Sequence, residues 1–270
     1  MSPIDIPESW MGKPIKGSLE RVFSKKPETQ PDPVRQPVAT GKMPSKYIAI
    51  LGQNIYISPE TTHRNKDMYE TLEELASEDQ FMPTPAQFMK HWMNVKAAAE
   101  GLNSLVYADG TTVAEADAKE LWEYMSSTNR QNRGAAWTWL NAQFVEDKGI
   151  WYMRNNLEVA VHKDGKKYLQ GPPLNQVISS IRKDKYVSLN FDSQGLPTTE
   201  SPLTQYKQGE NLMFWHPRNT GVARFDADSD GAGLSCDRGP SYRYSVLGVF
   251  ACAAGVAPQN SNDAGGIFIP

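Results

Sequence analysis

Cysteine is nearly absent from this 270-residue chain, with Cys236 and Cys252 its only two. Two cysteines make neither a disulfide framework nor a zinc site. They form one bridge or stay as buried free thiols, and the small, apolar character of the thiol favours the second. An excess of positive charge is missing as well. The 28 Lys and Arg stand against 31 Asp and Glu, for a formal net charge of −3, so the chain lacks the basic field that draws nucleic acid. No apolar run approaches the roughly 20 residues that cross a bilayer. The opening residues, MSPIDIPESWMGKPIKG, carry neither the basic nor the apolar segment of a secretory signal. These absences predict a protein made in the cytoplasm, with no nucleic-acid partner and no direct membrane insertion. Work outside a cell would then require another route, on a virion or by surface display.

Catalytic signatures are also lacking. There is no G-x-S-x-G, H-E-x-x-H, Walker A or G-x-G-x-x-G. His63, His91, His162 and His216 are scattered, and each reads as a surface or cap residue. The expectation is no enzyme and no catalytic residue. One run has the spacing of a site. Asp226, Asp228 and Asp230 with Gly231 match the D-x-D-x-D-G opening of a calcium loop, and Asp237 falls at its twelfth position. Such loops sit between helices, whereas VARF before and RGPSYRY after read as strand and loop, and position twelve is usually Glu. No metal or cofactor is therefore expected. A structural calcium ion on those four aspartates, in a calcium-dependent carbohydrate binder, is the alternative.

What is present begins with residues 1–45, rich in Pro, Lys and Ser and without helical or strand periodicity. Such a stretch buries too little apolar surface to offset the entropy of ordering. It reads as an extended or disordered arm, either inert or used for homo-oligomer contacts or attachment to a virion. A virion protein in which the arm is the working part, with no variable site, is a further alternative. From Tyr47 the pattern changes. YIAILGQNIYIS reads as a hairpin around Gly52-Gln53-Asn54. Met68, Leu72 and Leu75 lie on one face of a first helix. Thr84, Pro85 and Gln87 spell a capped start for a second, whose stripe is Phe88, Trp92 and Val95 and whose end is Gly101. Thr112-x-x-Glu115 opens a third, which buries Leu121, Trp122 and Met125. Short aromatic and β-branched runs follow, with a turn at Asp164-Gly165. Helices first and strands afterwards give the α+β class with a mostly antiparallel sheet over residues 46–270.

The C-terminal region has an absence of its own. Between Arg218 and Pro258 there is no Lys, Glu, Gln, Met or Trp, and every charge is Asp or Arg. Ala223, Phe225 and Ala227 alternate with Arg224, Asp226 and Asp228, and Leu234 and Cys236 alternate with Gly233, Ser235 and Asp237. Leu247, Val249 and Ala251 read as one last buried strand. Apolar residues thus support a face of Arg, Asp, Ser, Gly and Tyr, the mixture found in binding surfaces, where Tyr and Arg anchor and small polar residues adapt.

The run VARFDADSDGAGLSCDRGPSYRYSVLGVFACA, preceded by NLMFWHPRN, resembles the C-terminal variable region of proteins diversified by diversity-generating retroelements. In that family mutated adenines turn AAY codons into NNY, which cannot encode Lys, Glu, Gln, Met or Trp. The resemblance implies a C-type lectin fold and a receptor-binding or ligand-binding role in bacteria, archaea and their viruses, toward a protein or glycan on a target cell. It covers roughly the last fifth of the chain, and the closing LGVFACA departs from the G-F-R-C frame of one subgroup. It implies a variable ligand-binding region over about 218–255. The variable positions would be Arg224, Asp226, Asp228, Asp230, Gly233, Ser235, Asp237, Arg238, Gly239, Tyr242, Arg243 and Tyr244, on a scaffold of Phe225, Leu234, Cys236, Leu247 and Val249. A formylglycine-generating enzyme shares that fold, but the sequence shows no reactive cysteine pair in a suitable setting.

Overall fold

A computed structural model of the chain describes residues 44–127 and 135–255, together with strands β1 (Ser9–Trp10) and β2 (Lys13–Pro14). The chain divides into two compact units, Met1–Gln36 and Pro37–Pro270. In the first, β1 and β2 pair antiparallel. The rest of the expected arm, to residue 43, lies outside the described residues.

The second unit opens with the expected hairpin, in which β3 (Ile48–Ala49) pairs with β4 (Ile55–Ile57). Helix α1 (Met68–Ser77) follows behind a full capping box, Asp67 accepting from Glu70 while the Glu70 side chain returns to the Asp67 backbone. The start of α2 (Pro85–Ala99) is the one legible in the sequence. Thr84 is the N-cap, Pro85 the first helical residue, and Gln87 closes the box. The start of α3 (Glu115–Ser126) differs from expectation. Its N-cap is Ala114, without a side-chain hydrogen bond. Thr112 is held instead in a β-bridge with Val106, and the Val113 N–H donates to the Leu105 carbonyl at 2.9 Å. The chain is thus still extended where the capping motif would have turned it.

The strands then come in sequence. They are β5 (Trp137–Asp147), β6 (Ile150–Asn155), β7 (Glu158–Val161), β8 (Lys167–Gln170), β9 (Asn175–Gln176), β10 (Lys185–Ser188), β11 (Asn211–Trp215), β12 (Val222–Asp228), β13 (Gly231–Arg238), β14 (Leu247–Gly248) and β15 (Cys252–Ala254). The main sheet has the order β10-β11-β13-β12-β5-β6-β9, with β14 also beside β5. Only β11–β13 and β14–β5 pair in parallel there, so the class is α+β with a mostly antiparallel sheet. The expected single strand through Leu247, Val249 and Ala251 is divided. Val249 exchanges backbone hydrogen bonds with Thr62, which draws the chain off β5 and delivers β15 to the edge of β4. The first and last described strands of the unit therefore share one small sheet, β15-β4-β3.

Apolar residues fill both faces of the main sheet. On one side α2 and α3 cover it, with the Phe88 ring 4.9 Å from Phe225 and 5.6 Å from Phe250. On the other, α1 helps to bury Trp139, Val222, Leu247 and Val249. Both cysteines are free and buried. Burial pushes their thiols well up, away from thiolate character. His91 is no surface residue. It shares an α2 face with Phe88 and Val95 at helical spacing and is fully buried, and His216 is buried too. Among the described residues, no helix is long and apolar enough to cross a membrane.

Candidate functional site

The alternation of β12 is realised in space. Phe225 and Ala227 enter the core beneath α2 and α3, so Arg224, Asp226 and Asp228 rise on the opposite face. Register then assembles their neighbours. Arg224 lies opposite Ser235 on β13 and Trp139 on β5, Asp226 lies opposite Gly233, and Ser235 in turn lies beside Trp215 of β11. The loop after β13 folds back beside these strands and contributes Tyr242 and Tyr244.

At the centre stands Arg224, its side chain 9% exposed. Its guanidinium carbon is 5.2 Å from the ring centres of both Trp137 and Tyr242. Cation–π attraction of this kind strengthens as the pair is desolvated. Arg238 stands 5.5 Å from the Tyr242 ring on its own account. Trp137 stacks on Tyr244 at 4.9 Å with 26° between the planes. Asp226 Oδ2 accepts from Ser235 Oγ at 3.2 Å and lies 3.6 Å from Arg224 Nη2. The carboxyl has room only because residue 233 is glycine, whose Cβ would come 2.6 Å from Asp226 Oδ1. Burial pushes the Asp226 carboxyl up to about 7, against the opposing pull of Arg224.

Several polar atoms in this layer have no hydrogen-bond partner among the described residues. They are Arg224 Nε and Nη1, Trp137 Nε1 and Asp237 Oδ1. Buried polar groups are normally satisfied, because stripping water from one without replacement costs roughly 1–3 kcal/mol.

The other expected positions divide. Arg224, Gly233 and Ser235 are buried, so they form the layer under the surface rather than the surface itself. Asp228 and Asp230 sit at the β12–β13 turn, where Asp228 Oδ1 accepts the Asp230 N–H at 3.0 Å. The calcium-like run is thus a strand end and a tight turn. Gly231 there has φ +112° and a side chain would collide with the Tyr206 ring. Among the described residues no group of three or more His, Cys, Asp or Glu is arranged to hold a metal ion. Asp237 lies 3.6 Å from Arg238 through Oδ2, and Gly239 opens the loop. Arg243 turns away to α1, donating to the Asn65 carbonyl at 3.1 Å and to Glu70 at 2.5 Å. Sequence reasoning missed Trp137, which lies outside the expected ligand-binding region of about 218–255; the alternating W-T-W run is the signal that places it on the face of Trp139 and Arg224. It missed Trp215 as well, 41% exposed. A separate groove of about 480 Å³, lined by residues that include Met89, Met93 and Phe191, shares no residue with this face.

Compared with known proteins, the chain matches no family model, no curated protein and no solved structure.

Proposed function

We propose that the chain is a non-enzymatic binding protein that displays changeable side chains on a C-type-lectin-like scaffold, as retroelement-diversified receptor-binding proteins do. One observation carries this reading. Within the window that lacks Lys, Glu, Gln, Met and Trp, the five scaffold residues Phe225, Leu234, Cys236, Leu247 and Val249 are all at 0% exposure. The polar and aromatic members lie on one sheet face and the loop beside it. Change at the exposed members is cheap, within about half a kcal/mol away from special features, whereas change at the buried five is not. The closure of β15 onto β4, with α2 and α3 on one face of the sheet, supports a lectin-like scaffold.

The ligand on this reading is a protein or glycan on a target cell, anchored by a few aromatic and Arg side chains. Many copies on one particle turn weak single contacts into avidity, and the N-terminal arm serves attachment or oligomerisation. Sequencing the gene across a natural population of its source tests this. Substitutions should concentrate at NNY codons for exposed positions such as Asp230, Arg238 and Tyr244, with the five scaffold codons fixed. Variation spread evenly over the chain, or absent from this window, removes the reading.

A further inference from the structure

The unpartnered atoms of Arg224 and of its neighbours on this face carry more chemical information than the surface composition does. Three belong to donors: Nε and Nη1 of Arg224, whose side chain is more than nine-tenths buried, and the indole nitrogen of Trp137. The fourth, Asp237 Oδ1, is an acceptor. A ligand that completes this set must accept several hydrogen bonds and donate at least one. A fully ionised anion such as sulfate accepts but donates nothing, and it would meet the carboxyl groups of Asp226 and Asp237. Hydroxyl groups do both. Beside the polar set stands a flat apolar surface, the Trp137–Tyr244 stack, with the Tyr244 side exposed at 47%.

We infer that this face binds a neutral glycan without calcium, with one pyranose ring stacked on Tyr244 and its hydroxyls reaching Arg224, Trp137 and Asp237 as the Tyr242 ring turns aside. The inference rests on the reading of the face as a ligand site. The Tyr242 ring is half-buried and stands edge-on to Trp139 at 6.5 Å, so turning aside means leaving that contact, but it does not require the loop to move. The loop is held by other bonds, from the Met68 N–H to the Pro240 carbonyl at 2.9 Å and from Arg243 to Glu70 of α1. Rotation of one side chain therefore uncovers the guanidinium while the strands stay fixed.

The test is a glycan array probed with the full chain in the presence of a chelator. Its spots include neutral hexose- and N-acetylhexosamine-terminated oligosaccharides and sulfated, sialylated and uronic-acid glycans. Binding to neutral spots is expected, and it should fall at least tenfold in Arg224→Lys and Asp237→Asn. Tyr244→Ala, at an exposed position that the fold does not need, should weaken it to a similar degree. Binding confined to acidic glycans and abolished by salt overturns the inference, as does neutral binding that vanishes with the chelator. A third outcome is an array without signal, while a polypeptide selected on the chain from a displayed library loses binding in Tyr244→Ala. That overturns the glycan class and leaves the binding function standing. If neither probe responds to Tyr244→Ala or Trp215→Ala, the face is not a ligand site and both readings fall.

Discussion

Two titratable side chains, the buried His91 and the half-buried Asp226, act on stability in opposite directions with pH, and the opposition is measurable. His91 has neither ring nitrogen partnered among the described residues, and desolvation lowers its pKa from 6.5 to about 3. The unfolded chain therefore binds a proton below pH 6.5 that the folded one refuses. Stability from this residue is full above 6.5 and falls as pH drops toward 3, by about 1.4 kcal/mol per unit. Asp226 has the reverse sign. Its pKa is raised from 3.8 to about 7 by burial, so its contribution is full below 3.8 and is lost as pH rises through 7. Between pH 6.5 and 4 the two slopes nearly cancel. Urea unfolding across that window should show His91→Leu gaining stability on acidification and Asp226→Asn losing it. Parallel curves for both variants and the parent would defeat the argument. Neither residue's burial was legible. Strand alternation says that Asp226 faces away from Phe225 but not that Ser235, Gly233 and Arg224 close over it. Tyr242, which covers Arg224, arrives from a later loop that no local pattern connects to β12. Phe225, Leu234 and Cys236 were legible because a period of two is enough to place them.

Two threonines with the same motif separate at the level of elements. Thr84 accepts from the Gln87 N–H at 3.3 Å and the Gln87 side chain accepts from the Thr84 N–H at 2.9 Å. Thr84→Ala should cost about 1 kcal/mol, the usual value of such a cap. Thr112→Ala should cost far less, because Thr112 sits in a bridge and α3 begins after Ala114. Denaturant midpoints of the two variants check this, and equal losses would restore Thr112 as a cap. A capping box is a local signal, and it holds where nothing non-local competes for the residue. At Thr84 nothing does; at Thr112 the pairing with Val106 takes the backbone first. The same competition divides the last strand. Its alternation of Leu247, Val249 and Ala251 was legible and all three are buried, but alternation names a buried face without naming the partner strand. Here the partners are β5 for Leu247 and Thr62 for Val249.

For the molecule as a whole, the class followed from the order of patterns along the chain, helices before strands, because each helix stripe and strand run is set by its own residues. The double-sided burial of the main sheet was not legible, since alternation alone cannot tell a solvated face from one covered by α1 and a returning loop. That geometry has a consequence for cooperativity. Val249 belongs to the apolar cluster on the α1 side and Phe250 to the cluster under α2 and α3. Adjacent residues of one extended segment therefore seal opposite sides of the same sheet, and β5 and β12 contribute to both. Neither core can open without loosening strands the other needs, so the Pro37–Pro270 unit should unfold in a single transition despite exceeding the usual size for two-state behaviour. Phe250→Ala should cost about 3–5 kcal/mol and Val249→Ala about 2. Each variant should shift the far-UV and near-UV dichroism midpoints together. If Val249→Ala splits the transition, so that tryptophan packing melts before the secondary structure, the two cores are independent. The face carrying Arg224 would then rest on the half that Val249 seals, and its stability would be set by α1 and the loop of Tyr242 alone.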